Sequence, residues 1–328
     1  MLDDVINEQV KKHQVTIIII NNITDKSLIE KIDAKVKVVL LGRKVKSRNI
    51  FPILKLNCNL LKIRPDVIHC HNHFIIKMIT LKSKAVFTAH VMHIPTLNLK
   101  YYKRVIAMSN AVKEDIEQRS NIKPVLIYNG VRTQDIVCKY NYSFNIFRIL
   151  QIGRLEHMIK GQNILLEALQ IMVYDKNIKN IHVDFLGAGQ SLEYLQNLES
   201  DYQLEDHITF LGSKDRAYIY EHLKDYNLLV QPSLYEGFGL TIVEAMAAKV
   251  PVLVSDIDGP AEIVDRGHYG YLFKSKDATD LAKNIMHLMR IQGSDEFMKK
   301  INAAHIRAFK LFNISEMIKA LENIYFEI

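Results

Sequence analysis

The stretch from Val230 to Val264, VQPSLYEGFGLTIVEAMAAKVPVLVSDIDGPAEIV, decides the fold. An apolar run leads into a glycine-containing loop, a helical pattern follows over residues 240–248, and a β-branched run covers residues 250–255. A strand, a helix and a second strand in this order form the unit from which parallel sheets are built. Strand-like runs alternate with helical patterns along the rest of the chain, so the sequence predicts an α/β fold.

The loop in this stretch has the composition of an anion-binding site. Gly237 and Gly239 have no Cβ, so the loop can adopt positive φ and bring backbone N–H groups close to an oxyanion. The following helix adds its positive dipole end, which contributes about 0.3–1 kcal/mol. Glu236 and Glu244 add two carboxylates that the hydroxyls of a sugar or ribose would satisfy. The alternative is that Glu236 caps the helix and Glu244 is a solvated surface residue.

The same stretch resembles part of a known family. E-G-F-G-L-T-I-V-E-A-M-A, followed by P-V-L-V-S-D and P-A-E-I-V, resembles the E-x₇-E region of retaining glycosyltransferases of family 4. The resemblance implies the GT-B fold, with two Rossmann-like domains and a cleft between them. It also implies a UDP- or GDP-linked sugar as donor and no separate cofactor. The residues that it assigns to the donor are Glu236 near the sugar, Gly237, Phe238, Gly239, Leu240, and Glu244 on the ribose.

A second element precedes this stretch. Gly153 ends a predicted strand and leaves room for a ligand at the carboxyl edge of the sheet. Arg154 and Lys160 would supply two cations for a diphosphate, each charge-assisted hydrogen bond contributing about 1.5–3 kcal/mol. On spacing alone, the two could instead be surface residues before a helix that begins after Gly161. The pattern resembles the G-R-L…K-G element of the family, whose cations hold the donor phosphates.

Glycines after the next two strands are also assigned to the donor pocket by the resemblance. Gly187-Ala188-Gly189 is not a dinucleotide fingerprint, because position 192 is Leu where a third glycine is required. The resemblance implies instead that the backbone at Gly187, Gly189 and Gly212 lines the nucleotide pocket.

Histidines dominate the chemistry of the first half. His69, His71 and His73 alternate, which on a continuing strand would place three imidazoles on one face and suggest a metal site. The preferred interpretation is a satisfied or solvent-facing set, because D-V-I-H-x-H resembles a strand end of the family that needs no metal. Asp256-Ile257-Asp258 is a D-x-D triplet, a pattern that binds the metal of a nucleotide sugar in another glycosyltransferase fold. Here it follows the strand after the E-x₇-E helix, where relatives usually have glycine at the second Asp, so it is interpreted as a variation of that loop. No metal is predicted. The resemblance of T-x-H makes His90 a contact to the transferred sugar, and the predicted catalytic residues are His90, Glu236, Arg154 and Lys160.

The length of 328 residues favours two domains. A polar, aromatic break predicts an acceptor-binding domain over residues 1–142 and a nucleotide-sugar domain over 143–310. The resemblance implies that a helix over 311–328 packs back on the first domain. Members of the family open with a strand and a glycine loop, whereas the first glycine here is Gly42, so one donor contact is expected to be missing. Three explanations stay open: the real start lies upstream, the cleft closes differently, or the protein is catalytically weak.

Charge is unevenly distributed along the chain. Residues 1–140 hold 24 Lys and Arg against 11 Asp and Glu, and the segment from Lys35 to Arg64 holds nine basic residues, Lys46 among them, and no acid. Interleaved apolar residues suggest an anionic membrane surface as a partner, and the alternative is a solvated, compositionally biased surface. Nucleic acid is not expected, because no nucleic-acid-binding motif accompanies the charges.

Compartment and function follow from these patterns. The chain has no apolar run long enough to cross a bilayer, no secretory signal and three scattered cysteines, so a cytoplasmic protein, peripheral at the inner membrane face, is expected. The predicted activity is retaining transfer of a sugar to a glycan or lipid-linked acceptor in cell-envelope polysaccharide synthesis. Two alternatives stay open: a non-catalytic binding or regulatory subunit, and a nucleotide-sugar epimerase or phosphorylase on the same fold.

Overall fold

A computed structural model describes residues 2–22, 26–45 and 47–328, so Lys46 of the basic segment lies outside the described residues. The chain divides into two compact units. The N-terminal unit contains residues 1–130 and 314–328, and the C-terminal unit contains residues 131–313.

These divisions differ from the predicted boundaries at residues 142 and 310, because the segment 131–142 is bonded to the C-terminal unit. Its hydrogen bonds join the Val137 N–H to Tyr220 O (3.0 Å), the Lys139 N–H to Ala248 O (2.8 Å) and the Tyr142 hydroxyl to Lys249 O (2.8 Å). The polar, aromatic stretch that indicated a boundary is thus fastened to the surface of one unit.

The strands of the N-terminal unit form two parallel sheets. β1 (Thr16–Asn21) pairs with β2 (Lys37–Arg43) in a two-stranded sheet. The second sheet has the order β3-β4-β5-β6, with β3 at Ile68–Cys70, β4 at Ala85–Ala89, β5 at Arg104–Ala107 and β6 at Val125–Leu126. The helices among the first 130 residues are α1 (Leu2–Gln9), α2 (Lys26–Glu30), α3 (Phe51–Ile63) and α4 (Asn110–Arg119).

The C-terminal unit contains one parallel sheet of six strands in the order β12-β11-β10-β7-β8-β9. Its strands are β7 (Phe147–Ile152), β8 (Ile181–Leu186), β9 (Ile208–Gly212), β10 (Leu228–Gln231), β11 (Val252–Ser255) and β12 (Tyr271–Phe273). Its helices are α5 (His157–Lys160), α6 (Gln162–Gln170), α7 (Leu192–Asp201), α8 (Arg216–His222), α9 (Leu240–Ala247), α10 (Asp258–Ile263), α11 (Ala278–Ile291) and α12 (Asp295–Leu311).

The order of this sheet creates a switch point. The chain leaves β7 toward β8 and β9, and then returns to build β10, β11 and β12 on the other side of β7. β7 and β10 are neighbours, with Ile149 opposite Leu228 and Leu150 opposite Leu229. In open α/β sheets, ligands bind beyond the carboxyl ends of strands at such a reversal. The segments that follow β7 and β10 are therefore the first place to look for a site.

The last helix, α13 (Ile314–Phe326), belongs to the N-terminal unit. Its buried side chains join Val86 of β4 and Ile106 of β5 in one apolar cluster, and each such side chain withdrawn from water contributes about 1.5–3 kcal/mol. The buried side chains of α13 are those of Ile314, Met317, Ile318, Leu321 and Ile324.

Most predicted elements are present, and the differences are local. The apolar runs over residues 85–89 and 228–231 predict strands with the bounds that β4 and β10 have. Ser109, a predicted N-cap, caps α4 by accepting a hydrogen bond from the Val112 N–H (3.2 Å). Helices α2, α3, α5 and α10 and strand β12 were not predicted. Within the described ranges, the chain contains no helix with the length and apolarity that a bilayer span requires.

Candidate active site

Lys160 reaches the carboxyl end of β10 because of the glycine that follows it. Gly161 ends α5 with a left-handed backbone (φ 66°), and a Cβ at this position would lie 1.9 Å from the Pro232 carbonyl oxygen. Only glycine permits that approach without displacing the backbone after β10. The turn therefore holds Lys160, from the segment after β7, beside the loop after β10.

Lys160 forms an ion pair there with Glu236. Its Nζ donates to Glu236 Oε2, and the two side chains are only 16% and 18% exposed. An ion pair withdrawn from water to this degree must be well partnered, because each charge loses hydration. The pair confirms that the G-R-L…K-G element and the E-x₇-E element meet in space, which sequence spacing alone could not establish.

A polar side chain from β10 supports Glu236. Gln231 Nε2 lies 3.5 Å from Glu236 Oε2 and donates to Ser233 Oγ at 2.9 Å, while Thr241 Oγ1 donates to Gln231 Oε1 (3.4 Å). Gln231 and Ser233 are both buried. The carboxylate is therefore held by a cation on one side and by an amide on the other, in a fixed orientation before any ligand arrives.

The glycine loop between β10 and α9 differs from expectation in one detail. Gly239 precedes the helix with φ 111°, whereas Gly237 is not in the left-handed region, so one of the two glycines uses its conformational freedom. Phe238 is buried and packs edge-on against Phe312, with ring centroids 5.6 Å apart. Its side chain anchors the loop to the unit's interior, and Leu240 begins α9 at the loop's end.

Glu244 is not a solvated surface residue, and that alternative is wrong. It lies on α9 and is only 7% exposed. Burying a carboxylate is costly unless hydrogen-bond donors or cations surround it. A buried Glu beside a glycine loop and a helix start is therefore a strong candidate for a specific contact.

Arg154, unlike the buried Glu244, lies at the surface. Its side chain is largely solvent-exposed, and its guanidinium is 3.5 Å from Glu156 Oε2. The preceding Gly153 is held at the sheet edge by its N–H, which donates to the Leu186 carbonyl (3.0 Å). Arg154 is thus a cation at the site's margin, in contrast to the enclosed Lys160.

The predicted donor-pocket glycines lie close together at the carboxyl ends of β7, β8 and β9. The Gly187 N–H donates to Gly212 O (3.0 Å), and a Cβ on Gly187 would be 1.9 Å from Gly153 O. Gly189 passes equally close to Leu155, since a Cβ there would lie 2.3 Å from the Leu155 carbonyl oxygen. Backbone therefore approaches backbone at this edge, and the space around Gly212 is open.

His90 belongs to a histidine group in the N-terminal unit. It follows β4, and its Nε2 is 2.9 Å from His71 Nδ1, so one of the two rings donates to the other. His71 stacks on His69 with centroids 4.5 Å apart. His69 in turn is hydrogen-bonded to Thr88 Oγ1 (2.7 Å) and to the Tyr325 hydroxyl of α13 (2.6 Å).

These rings are held in the neutral form. Burial, and then the neighbouring rings, lower the pKa of His69 well below its ordinary value. Desolvation and the charge of His90 lower the pKa of His71 to about 4, although part of His71 reaches solvent. Burial lowers the pKa of His90 as well. A neutral His90 can donate or accept a hydrogen bond at pH 7, and its predicted contact with a sugar stays a prediction.

Comparison with known proteins identifies the family. Residues 145–305 match the family described as Glycosyl transferases group 1, and residues 1–135 match the one described as Glycosyltransferase Family 4. The chain belongs to the family 4 glycosyltransferases. The first match lies within the C-terminal unit, and the second covers residues 1–130 of the N-terminal unit.

Curated relatives of this glycosyltransferase family are similar over part of their length. An uncharacterised glycosyltransferase of Methanocaldococcus jannaschii is 27% identical over 227 residues, which cover 69% of this chain and 60% of the relative. A poly(ribitol-phosphate) alpha-N-acetylglucosaminyltransferase of Staphylococcus aureus strain COL is 26% identical over 202 residues, which cover 56% of this chain and 40% of the relative. The matched region thus spans about half the length of these relatives.

Solved structures confirm the GT-B fold. A glycosyltransferase of Rickettsia africae has a TM-score of 0.82 at 22% identity, with 99% of this chain and 93% of that chain covered. HepE of Anabaena, in complex with UDP and glucose, has a TM-score of 0.78 at 21% identity and covers 100% and 95% of the two chains. At these identities the likeness establishes the fold and leaves the substrates open.

The metal hypotheses find no support from the geometry. β3 ends at Cys70, so His71 and His73 do not continue the strand on which three imidazoles would have aligned. Asp258 begins α10, and Asp256 Oδ1 accepts the Ser275 N–H (2.8 Å), so the two carboxylates have separate structural surroundings. Across the parts of the chain that the structure describes, no group of three His, Cys, Asp or Glu is arranged to hold a metal ion.

Sequence reasoning missed several residues of the candidate site. Gln231, Ser233 and Thr241 form the network that supports Glu236. The available signal was position, because Gln231 is the last residue of an otherwise apolar strand at the switch point. In the N-terminal unit, the links from His69 to Tyr325 and to Thr88 depend on long-range contacts that no local pattern encodes.

Proposed function

We propose that this protein is a retaining glycosyltransferase that uses a nucleotide diphosphate sugar, UDP- or GDP-linked, as donor. The observation that carries the proposal is the ion pair between Lys160 and Glu236 at the switch point of the C-terminal sheet. One member is a cation suited to a phosphate, and the other is an acceptor suited to a sugar hydroxyl. Their contact means that a ligand with both groups, phosphate and carbohydrate, would engage each partner.

The surrounding residues support a diphosphate group at this edge. The start of α9 after Gly239 presents free backbone N–H groups and a positive dipole end. Arg154 is exposed and can turn toward a phosphate, since its present partner Glu156 is 3.5 Å away. Gly187 lets the backbone pass close to Gly153, and the space around Gly212 is open; we propose that a nucleotide lies along this edge. Glu244 is proposed to bind the ribose.

Catalysis is proposed to depend on stabilising the leaving diphosphate. Departure of the nucleoside diphosphate develops negative charge, and fixed cations near that charge lower the barrier without reorganisation. Lys160 is fixed by α5 and Gly161, so its position is set before the reaction. No carboxylate is assigned as a nucleophile. His90, neutral at pH 7, is proposed to contact the transferred sugar.

The acceptor is proposed to be a glycan or a lipid-linked intermediate of cell-envelope polysaccharide synthesis. Curated relatives include an O-antigen chain mannosyltransferase of Salmonella typhimurium at 27% identity and a phosphatidyl-myo-inositol mannosyltransferase of Mycobacterium leprae at 28%. Those names describe other proteins, and they favour an envelope acceptor here. The reaction is proposed to take place at the inner face of the cell membrane, without nucleic acid as a partner.

A thermal-shift screen against UDP, GDP and a panel of their sugars tests the proposal. A ligand that binds only the folded protein raises the melting temperature with the logarithm of its concentration over Kd. We expect one nucleotide class to stabilise the protein, and the Lys160→Ala variant to lose that shift. Turnover of the same donor by the purified protein, with retention at the anomeric carbon, would exclude a non-catalytic subunit. No shift with any nucleotide would overturn the proposal.

A further inference from the structure

Helix α3 of the N-terminal unit has two apolar faces. Leu56 and Leu60 are buried and face the unit's interior. A helix on the surface of a globular protein needs only one such face. The opposite side carries an outer stripe of residues spaced three or four apart, which places them on one line along the helix. The outer stripe consists of Phe51 (73% exposed), Leu54 (53% exposed), Cys58 (exposed) and Leu61 (58% exposed).

Cations border the outer stripe. Lys55 and Lys62 are exposed on α3 itself, and Lys44 and Arg48 are exposed in the segment before it. None of these four forms an ion pair with any residue in the described ranges. The whole segment from Lys35 to Arg64 contains no acid that could partner them. The exposed part of this segment therefore combines apolar side chains with cations that have no ion-pair partner among the described residues.

The helix is fixed in this orientation. Asn57 donates through Nδ2 to the Met78 carbonyl (2.7 Å) and accepts the Thr80 N–H at Oδ1 (2.8 Å), which ties α3 to the segment before β4. Arg64 ends the helix in a left-handed conformation with its N–H bonded to Leu60 O (2.9 Å). The outer stripe therefore cannot turn inward without breaking these bonds and exposing Leu56 and Leu60.

The occupant of this face must combine negative charge with an apolar layer. A nucleic acid offers phosphates and, when single-stranded, bases that can stack on Phe51, but it offers the aliphatic Leu54 and Leu61 no apolar layer to enter. An anionic bilayer offers both, since headgroup phosphates lie above an acyl region that an interfacial helix enters to a depth of about 5–10 Å. We infer that α3 docks this protein on an anionic membrane, with the outer stripe inserted and Lys44, Arg48, Lys55 and Lys62 on headgroup phosphates.

This inference rests on the proposed function in one respect: membrane docking gives the protein access to a lipid-linked acceptor. Membrane binding itself is measured without donor or transfer. A protein that binds nucleotide sugars but not vesicles would overturn the docking inference alone. A protein that binds vesicles but no nucleotide would overturn the proposed function alone.

A probe at Cys58 reports insertion directly. Cys58 is exposed, whereas burial raises the pKa of the Cys70 thiol to about 12 and also raises that of Cys138, so an environment-sensitive dye should label Cys58 preferentially. We expect a blue shift of the dye on vesicles of phosphatidylcholine with phosphatidylglycerol, and none on phosphatidylcholine alone. If the emission of the dye shows no blue shift with the anionic vesicles, the outer stripe does not insert and the inference is overturned.

Paired variants separate insertion from overall charge. Phe51→Ser with Leu54→Ser should weaken vesicle binding about tenfold or more, while Leu97→Ser, also 73% exposed on this unit, should leave it unchanged. Lys55→Glu with Lys62→Glu should weaken it similarly, and Lys103→Glu with Lys123→Glu, an equal charge change elsewhere, should do so less. Circular dichroism and nucleotide thermal shift verify that each variant folds.

Two results would show that the surface serves something else. If the Phe51→Ser, Leu54→Ser variant binds anionic vesicles as tightly as the parent, no apolar insertion occurs and the inference is wrong. If the parent binds single-stranded RNA more tightly than anionic vesicles, and the serine variant retains that binding, the face is an electrostatic site for a polyanion. Measuring both ligands at low and high salt distinguishes these cases.

Discussion

In the C-terminal unit, Lys160 is bonded to Glu236 and both side chains are mostly shielded from water, whereas in the N-terminal unit Lys44, Lys55 and Lys62 stand exposed without an acid. An enclosed ion pair fixes its charges in position and suits a small anion of defined shape. Exposed cations on flexible stems suit a diffuse anionic surface, because their attraction depends little on geometry. We therefore propose that the same residue type serves recognition of a small anion in one unit and adsorption to a surface in the other.

The largest expected effect is on the enclosed cation. Lys160→Ala removes one charge-assisted hydrogen bond and leaves Glu236 without its partner, so we expect the Kd for the nucleotide sugar to rise about tenfold or more. Isothermal titration calorimetry measures the change. Lys283→Ala, an exposed lysine on α11 of the same unit, is the matched control and should leave Kd unchanged.

Glu244→Ala tests the second buried group of that site. Loss of a buried acceptor for the ribose should raise the nucleotide-sugar Kd about tenfold, with Glu244→Gln retaining part of the affinity because the amide still offers an oxygen. Thermal unfolding of the free variants separates this effect from loss of structure. If neither Lys160→Ala nor Glu244→Ala changes the Kd, the donor pocket lies elsewhere.

The histidine group of the N-terminal unit predicts how the free energy of unfolding depends on pH. His71 has a folded pKa of about 4, below the ordinary value of about 6.5, so as pH falls from 6.5 to 4 the unfolded chain takes up a proton that the folded chain does not. The free energy of unfolding should therefore decrease on acidification, by up to about 1 kcal/mol per pH unit after allowance for partial exposure.

Urea denaturation between pH 7 and pH 4 measures this slope. We expect His71→Gln to flatten it, because glutamine cannot titrate. Leu97→Gln, 73% exposed on the same unit, changes no titrating group and should leave the slope as it is. A parent protein whose stability rises as the pH falls would show that the rings are charged in the folded state.

The smallest effect should come from Glu236→Gln. Removing this carboxylate frees Lys160 from its ion pair, so UDP or GDP without a sugar should bind as tightly as before, or about threefold more tightly. Turnover of the sugar donor should fall nevertheless, since the proposed sugar contact is lost. Titration of the nucleotide alone, beside initial rates with the donor, tests this split. A weaker nucleotide Kd would assign Glu236 to phosphate binding through Lys160.

Much of the fold was predictable because its signals are local. β4, β10 and the Ser109 cap of α4 follow from apolar runs and one capping residue, which act within a few positions. Helix α3 was missed because its two apolar faces and interleaved lysines conceal a 3.6-residue period. Strand β12 is only three residues long, and its identity depends on pairing with β11.

The candidate site was predictable in composition and unpredictable in its contacts. Glycines and charged residues in family order identified Lys160 and Glu236, but their ion pair requires β7 to lie beside β10. Exposure also had to come from the structure. In the structure, Lys160 and Glu244 are mostly shielded from water, Phe238 is buried in the interior of the unit, and Arg154 is exposed to solvent.

By itself, the sequence determined the alternation of strands and helices, the glycine positions that permit close backbone approach, and the excess of cations in the first half. These properties are set within short segments and do not depend on contacts with other parts of the chain. Only the tertiary structure decided which side chains lose water, which acids meet which bases, and which face of α3 stays uncovered. Burial and pairing arise from segments far apart in the chain, so no local pattern can specify them.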